Sequence, residues 1–596
     1  MPKRVPLTVT AAFQLVTAFA LAFASLTVNT ARAQSVQPNI IFIMADDMGW
    51  ADLSTGLTNY GDPSDFYETP ALETLATQGM AFTNAYATPT CAATRAAILS
   101  GAYATRSTNN VYQVGSLNPA SQTNSMLVGP SQGTNGSNDK LSTATITHAE
   151  TLQAAGYTTA TVGKFHVAPN ANQIISDHGF DENFGGQQAG APGSYHANNG
   201  VFGPAIHSSL DPFASNYTQD YVDNNIKPYA NGTDVAAIDA LVGTAKHVTD
   251  ASTDAAIDFM TRNADDPFYL QYSAFAVHTP IDTAQARADL LDKYNNLSPG
   301  TEDSNASYGA LVEGLDQGVA RLIDHLQTTA DPRNPGQTLD QNTLVIFYSD
   351  NGGLEPQTNL SVLSGQKGEL DEGGIRVPMI AWSGNSDLVD GGTVSDAVVM
   401  PTDFYTTFAS LGSATLPTSQ AFDGEDLSGV FADSSVTPDR DNVYWHMPGY
   451  SQSGRQRPQS VTRSGDWKLL YNYEDQSYEL YNLATDLGET NNLAEDEAFA
   501  HILADLGGDL LQWLDDTDAP LATLRSGLLE IMIDGQAYAN GVITEYDQEI
   551  VTIAAGEEVP FVLNTNVIPE PASAACLSLL AGLGLSRPTR RRTSDH

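Results

Sequence analysis

The chain has 596 residues with 70 acidic against 26 basic side chains, a formal net charge of −44, and 41% of its residues are hydrophobic. These proportions exclude a collagen, a disordered tail and a polytopic membrane protein, and they leave room for a sizeable core and more than one domain. The charge also argues against general binding to nucleic acid or anionic membrane, because a phosphate backbone would be repelled over most of the surface; partners are neutral, cationic, or anions captured at one locally basic pocket.

Residues 1–33 open with Lys3 and Arg4, run apolar from Leu7 to Val28 and close on Ala31-Arg32-Ala33. That pattern predicts a secretory signal peptide with a small-x-small cleavage site, an uncleaved anchor being the alternative, and either way an exported body. From residue 38 to 436 short apolar runs alternate with helical segments, which predicts an α/β domain on a large, mostly parallel sheet. Asn39 to Met44 stops at Asp46-Asp47, and Thr158 to Val162 stops at Gly163-Lys164-Phe165-His166. Phe268 to Val277 stops at His278-Thr279-Pro280, and Thr343 to Tyr348 stops at Ser349-Asp350-Asn351-Gly352-Gly353. One strand-terminal Asp or His is commonly a cap or turn residue, but four such ends on one edge of an open sheet mark the place where ligands bind. Asp46, Asp47, Asp350 and Asn351 supply three carboxylates and an amide oxygen, a set suited to a hard divalent cation; without paired cysteines or a His-x-x-x-His helix, zinc is disfavoured.

Between the first two strands, Thr69-Pro70 opens a helix with Leu72, Leu75 and Ala76 inward, closed by Gly79. Ala96 to Leu99 reads as the start of a second helix, which places Cys91 at or near its N-terminus, where the dipole favours an anion, with the cation Arg95 four positions on; a small buried residue is the alternative for Cys91. The Gly/Asn/Gln-rich stretch from Phe184 to Gly203 reads as a loop, with His196 and His207 as candidate substrate contacts or solvated loop histidines. Residues 437–525 change to an antiparallel meander with strands at Val461–Arg463, Trp467–Tyr471 and Tyr478–Tyr481. A helix from His501 to Leu514 packs on it through Ile502, Leu503, Leu506, Leu510 and Trp513. Residues 526–566 read as a β-rich spacer or linker. Residues 567–596 run from Pro569-Glu570-Pro571 through an apolar segment to Arg587, Arg590, Arg591 and Arg592. This tail resembles the PEP-CTERM sorting signal, which implies an exosortase-type protease as a partner; a plain tail anchor is the alternative. The second cysteine, Cys576, falls inside it, so no disulfide framework can be built.

Cys91-Ala92-Ala93-Thr94-Arg95 followed by Ala-Ala-Ile-Leu-Ser-Gly resembles the signature of the type I, formylglycine-dependent sulfatases. Ala45-Asp46-Asp47, Gly163-Lys164-x-His166, His278-x-Pro280, Ser349-Asp350-Asn351-Gly352 and Gly365-Gln366-Lys367-Gly368 with Glu372 to Pro378 match in order, from about Pro38 to Ala494. Ala93 stands where that family most often has Pro. The resemblance implies an alkaline-phosphatase-like fold and a formylglycine-generating enzyme that converts Cys91 to an aldehyde, hydrated to a gem-diol. It also implies Ca²⁺ held by Asp46, Asp47, Asp350 and Asn351 and touching the Cys91-derived diol.

By the same resemblance Asp350 takes the diol proton, Arg95 and Lys164 steady the diol, Lys164, His278 and Lys367 neutralise the sulfate, and His278 or Lys367 protonates the leaving alcohol. His166 deprotonates the remaining hydroxyl to expel sulfate. Tyr444-Trp445-His446-Met447-Pro448 looks like a Trp-His-x-Pro segment of polysaccharide sulfatases, which makes His446, Arg455 and Arg457 candidate substrate contacts beside His196. The reading is an exported, calcium-dependent sulfatase acting on sulfated, marine-type polysaccharides or oligosaccharides. A phosphate or phosphonate monoester hydrolase of the same fold and a non-catalytic surface carbohydrate-binding protein stand beside it.

Overall fold

Asn39–Ala45 forms a central strand of an eight-stranded sheet, and its alternation explains why every residue in it is buried: Ile40, Phe42 and Met44 enter one hydrophobic layer while Ile41, Ile43 and Ala45 enter the other. A computed structural model describes residues 37–564 except 107, 114, 134–138 and 452–454. The predicted signal peptide, the sorting tail and Cys576 lie outside the described residues, among which no helix is long and apolar enough to cross a membrane.

The strand order is Glu182–Phe184, Thr158–Gly163, Phe268–Ser273, Asn39–Ala45, Thr343–Ser349, Met379–Trp382, Met80–Phe82, Thr393–Ser395. Only Met379–Trp382 runs against its neighbours; the other pairings are parallel. One face is covered by Pro70–Gln78, Val248–Arg262 and Ala306–Thr328, and the other by Cys91–Ser100, His148–Ala154 and Asp403–Leu411. A strand buried on both faces reads as a continuous apolar run, which is the pattern of a parallel α/β sheet. The large, mostly parallel mixed sheet flanked by helices, with a smaller antiparallel sheet following it, is the architecture expected from the sequence.

Register places the chemistry. Ala45 pairs with Ser349, Met44 with Ser273 and Gly163 with Ser273, so residues 46–47, 164–166, 274–278 and 350–351 all emerge at one edge. One strand is shorter than its apolar run. Ladder pairing ends at Ser273, and the chain then crosses the end of Asn39–Ala45, with Ala274 N–H donating to Met44 O (2.9 Å) and Val277 N–H to Asp46 O (2.8 Å). Ala274 to Val277 is apolar because it is buried there.

The C-terminal part forms a four-stranded antiparallel sheet, Asn442–Met447, Gln459–Ser464, Trp467–Asn472 and Ser477–Asn482, against the helix Ala500–Asp516. Leu503, Leu506, Leu510 and Trp513 of that helix are buried, whereas Ile502 is half-buried. Asn442–Met447, the segment expected to offer His446 to substrate, is an edge strand with Trp445 packed into the core, the alternative reading for that residue. Residues 528–564 are no spacer. They form the three-stranded sheet Leu528–Ala539, Val542–Ala554 and Phe561–Asn564, whose buried face shares a core with Tyr471, Tyr473, Leu510 and Leu514. Phe561 is fully buried, its ring 4.6 Å from that of Tyr471. Phe561→Ala is expected to destabilise the protein by about 3–5 kcal/mol in urea unfolding. A loss below about 1 kcal/mol, the scale of surface changes, would return this segment to the status of a spacer.

Candidate active site

Cys91 is the first residue of the helix Cys91–Ser100, preceded by Thr90 in an extended conformation and closed by Gly101 in the left-handed region. The whole helix is buried, so its N-terminus delivers Cys91 and, one turn on, Arg95 into the sheet edge. Arg95 donates from Nε (3.0 Å) and Nη2 (2.7 Å) to Asp350 Oδ2, and from Nη1 to the carbonyl of Lys164 (2.8 Å). Lys164 Nζ lies 2.7 Å from both oxygens of Asp46. Lys367 Nζ contacts Asp47 Oδ1 at 2.5 Å, and His278 Nε2 stands 3.7 Å from Asp47 Oδ2. Asn351 Nδ2 donates to Asp47 Oδ1 (3.0 Å).

The backbone is held with equal care. Asp47 (φ 65°) and His166 (φ 74°) occupy the left-handed region, at a cost of roughly 1–3 kcal/mol each. Asp47 is fixed by its N–H donating to Asp350 Oδ1 (3.2 Å) and its carbonyl accepting from Tyr308 Oη (3.4 Å). A Cβ on Gly352 would fall 1.9 Å from Gly373 O, so the turn after Asp350-Asn351 closes only with glycine there. Tyr195 Oη bonds the carbonyls of Phe275 (2.6 Å) and His278 (2.7 Å), fixing the loop that presents His278.

Asp46, Asp47, Cys91, Arg95, Lys164, His166, Asp350 and Asn351 are buried, while His278 and Lys367 reach a cleft of about 430 Å³ that Cys91 also lines. Burial pushes Asp46 up to about 6, against the pull of Lys164. Burial also raises Asp350, with Asp46 adding to it and Arg95 opposing. Asp47 is likewise buried, yet Lys367, His278 and Lys164 hold it below the ordinary carboxylate range. Burial lowers His166 and His278 to about 4, so both imidazoles are neutral near pH 7.

The donor set fits a hard divalent cation. Ligand atoms of Asp46, Asp47 and His278 lie within 4.8 Å of one another, as do those of Asp46, Cys91 and Asp350. Asn351 Oδ1 is buried with no hydrogen-bond partner among the described residues. An orphaned amide oxygen beside three crowded carboxylates is an environment that a cation relieves.

The four substrate candidates lie elsewhere. His446 is buried, with Nδ1 2.7 Å from Ser460 Oγ and Nε2 2.8 Å from the carbonyl of Pro520. Its neighbour Trp445 donates from Nε1 to the carbonyl of Ala87 (2.8 Å). His196 packs edge-on against His247, ring centroids 5.1 Å apart, with Nε2 3.3 Å from the carbonyl of Ala286. Arg457 is 46% exposed and 3.6 Å from Glu474. Arg455 is exposed, in the field of Glu369. None of these four lines the cleft; Gln113, Gly190, Ala191, Leu354, Gly368 and Ser451 do, and sequence reading singled out none of them as a substrate contact. Asp139 and Lys140, which flank His166, were also missed: they lie in a polar loop with no periodicity to mark them.

A parallel sheet whose edge gathers buried carboxylates, cationic side chains and a helix-borne cysteine suits a hydrolase of esters of tetrahedral oxyanions. Comparison with known proteins makes the class specific: the chain belongs to the sulfatase family and is a sulfuric ester hydrolase. The family model described as Sulfatase matches residues 38–414, and one described as N-sulphoglucosamine sulphohydrolase, C-terminal, matches 366–516. A sulfatase of Formosa agariphila is 37% identical over 517 residues, 82% of this chain and 91% of that protein. The Homo sapiens N-acetylgalactosamine-6-sulfatase is 30% identical over 398 residues, 65% of each chain. The crystal structure of Ps i-CgsB in complex with k-i-k-neocarrahexaose is 25% identical, with a TM-score of 0.58 over 80% of this chain and 92% of that one.

The placement of His446 generates a test. His446→Ala leaves the Ser460 and Pro520 partners unpaired in a buried setting, an expected loss of about 1–3 kcal/mol in thermal or urea unfolding. The ratio of kcat/KM on a small aryl sulfate to that on a sulfated oligosaccharide is expected to stay unchanged; a changed ratio would restore His446 as a substrate contact.

Proposed function

We propose that this chain is an exported, calcium-dependent sulfatase that removes sulfate from sulfated polysaccharides or oligosaccharides through a formylglycine made from Cys91. The observation that carries the reading is Cys91 at the head of a buried helix, its sulfur grouped with oxygens of Asp46 and Asp350 while Arg95 holds Asp350 from the next turn.

Asp46, Asp47, Asp350 and Asn351 would hold the Ca²⁺, which when bound polarises the ester and lowers the proton affinity of the attacking oxygen. The oxidised Cys91 side chain, an aldehyde that hydrates to a diol, supplies that oxygen. Charge bookkeeping favours an anionic substrate. Asp46, Asp47 and Asp350 are matched by Arg95, Lys164 and Lys367; a divalent cation then leaves the pocket positive, suited to a monoanionic sulfate ester. Asp350 stands beside Cys91 and is suited to take the nucleophile's proton. Lys164 and Lys367 neutralise the sulfate oxygens. Lys367, cationic and open to the cleft, is suited to protonate the leaving alcohol, with His278 the second candidate once the bound sulfate favours its charged form, and His166 acts as the base when sulfate is released.

Export is supported by the signal-peptide pattern of residues 1–33 and the PEP-CTERM-like tail, which point to periplasmic or outer-surface placement and an exosortase-type partner. A formylglycine-generating enzyme is the maturation partner. A sulfated glycan substrate is supported by the k-i-k-neocarrahexaose in the complex of Ps i-CgsB and by the amino sugar in the name of the human N-acetylgalactosamine-6-sulfatase.

Produced with a formylglycine-generating enzyme, the protein is expected to release free sulfate, and no phosphate, from matched esters, with the Cys91 peptide carrying the aldehyde by mass spectrometry. Cys91→Ala should lower turnover on the order of 10³-fold or more with an unchanged Tm; full activity in that variant would overturn the nucleophile assignment. Ca²⁺ at 100 times its Kd should stabilise the protein by about 2.7 kcal/mol, and Asn351→Ala should shrink that gain. No thermal response to Ca²⁺ in either protein would remove calcium from the reading.

A further inference from the structure

His166 is the most enclosed of the histidines assigned chemistry: it is 1% exposed, sits in the left-handed region and follows directly on Lys164-Phe165. Its imidazole Nε2 lies 3.3 Å from Asp139 Oδ2, an ion-pair distance without hydrogen-bond geometry, and neither ring nitrogen has a hydrogen-bond partner among the described residues. Asp139 is itself buried, and its other oxygen pairs with Lys140 Nζ at 3.0 Å. Lys140 Nζ in turn donates to the carbonyls of His166 (2.8 Å) and Gln188 (3.2 Å), and His166 N–H donates to the carbonyl of Gln187 (2.9 Å). Two consecutive residues thus grip the ring and the backbone of His166 together with the strap that covers it. The strap's Gly190 lines the cleft, and a Cβ there would stand 2.9 Å from His166 Nε2, so the ring has no room to turn toward it.

We propose that Asp139 is a positioning residue for His166 and acts in the half of the cycle that releases sulfate. A neutral imidazole offers one donor and one acceptor, while an ionised carboxylate only accepts. Asp139 facing Nε2 at this distance favours the tautomer with its proton on Nε2, which leaves the lone pair on Nδ1 to take a proton. Lys140 restrains the carboxylate and the loop, so the tautomer and the ring orientation are set before substrate arrives. This inference rests on the proposed role of His166 as the base for sulfate release.

The test separates the two halves of turnover. Rapid-quench kinetics on an aryl sulfate with the matured enzyme reads the first burst of alcohol, made before sulfate is released, and the steady rate that follows it. Asp139→Ala is expected to keep a burst of one alcohol per site at near wild-type rate while steady turnover falls roughly 10- to 100-fold. Sulfate should then be retained on the Cys91 peptide by mass spectrometry. If the alanine variant does not fold, the nearly isosteric Asp139→Asn is read by the same split. Burst and steady rate slowed equally, or neither changed, would overturn the proposal, since a merely structural role does not divide them. His166→Ala is the control. If it shows the split and the Asp139 variant does not, Asp139 alone loses its role; if it shows none, the reading of His166 falls first and takes this inference with it.

Discussion

Everything at this site depends on six charged side chains, five of them buried, sharing one edge of a sheet. Asp46, Asp47 and Asp350 meet Lys164, Lys367 and Arg95 at 2.5–2.7 Å. Buried charges survive only when each is paired and further hydrogen-bonded, and deleting one partner leaves the other uncompensated at a cost of about 3–5 kcal/mol. The constraint runs outward through the fold. For the pairs to meet, the strands ending at Ala45, Gly163, Ser273 and Ser349 must stay in register, and that register is fixed by two hydrophobic layers pressing on alternate residues of the same strands. A one-residue slip would send each layer's side chains to the other face. The core thus holds the charges in place, and it also bears the backbone strain at Asp47 and His166.

Much of this was legible before any coordinates because parallel sheets advertise themselves. Runs such as Ile40-Ile41-Phe42-Ile43 have no polar side, and a polar residue where such a run stops has nowhere to go but the sheet edge. The helix at Thr69-Pro70 is marked by a polar residue, a proline and a terminal glycine, which are local signals, whereas the next helix begins at Cys91, five residues before the start expected at Ala96. What failed was long-range. Core packing is one of the two readings the sequence leaves for Trp445, but His446 sits on an edge strand whose partner begins only at Gln459, so its burial was hidden. The alternation in Leu528–Ala554 suggests strands but says nothing of the aromatic surface of Tyr471 and Tyr478 that covers their inner face. Asp139, Tyr195 and Gln113 reach the site from loops, where no periodicity exists to read.

The strongly acidic composition takes on a narrower meaning beside this geometry. A surface of that sign does not attract a sulfated polymer over long distances, so capture is left to the few cations at the cleft. The balance inside the pocket is close to neutral, and the chain's charge excess is therefore a property of its exterior. Salt weakens repulsion between such a surface and a polyanion, which makes saline water the favourable medium for productive encounter.

The loop carrying Lys367 belongs to both sheets at once. Gly368 N–H donates to the carbonyl of Pro89, just ahead of the cysteine helix, while Leu370 N–H donates to Gln456 and Glu372 is held by Lys468 and by Arg376. Arg376, in turn, shares Tyr86 with Arg463 of the smaller sheet. The two family matches overlap across 366–414, a stretch that contains this loop. Exchanging the smaller sheet for another would remove the Gln456, Lys468 and Arg463 contacts behind this loop, so the footing of a cation in the cleft depends on a sheet that contributes no strand to the catalytic edge.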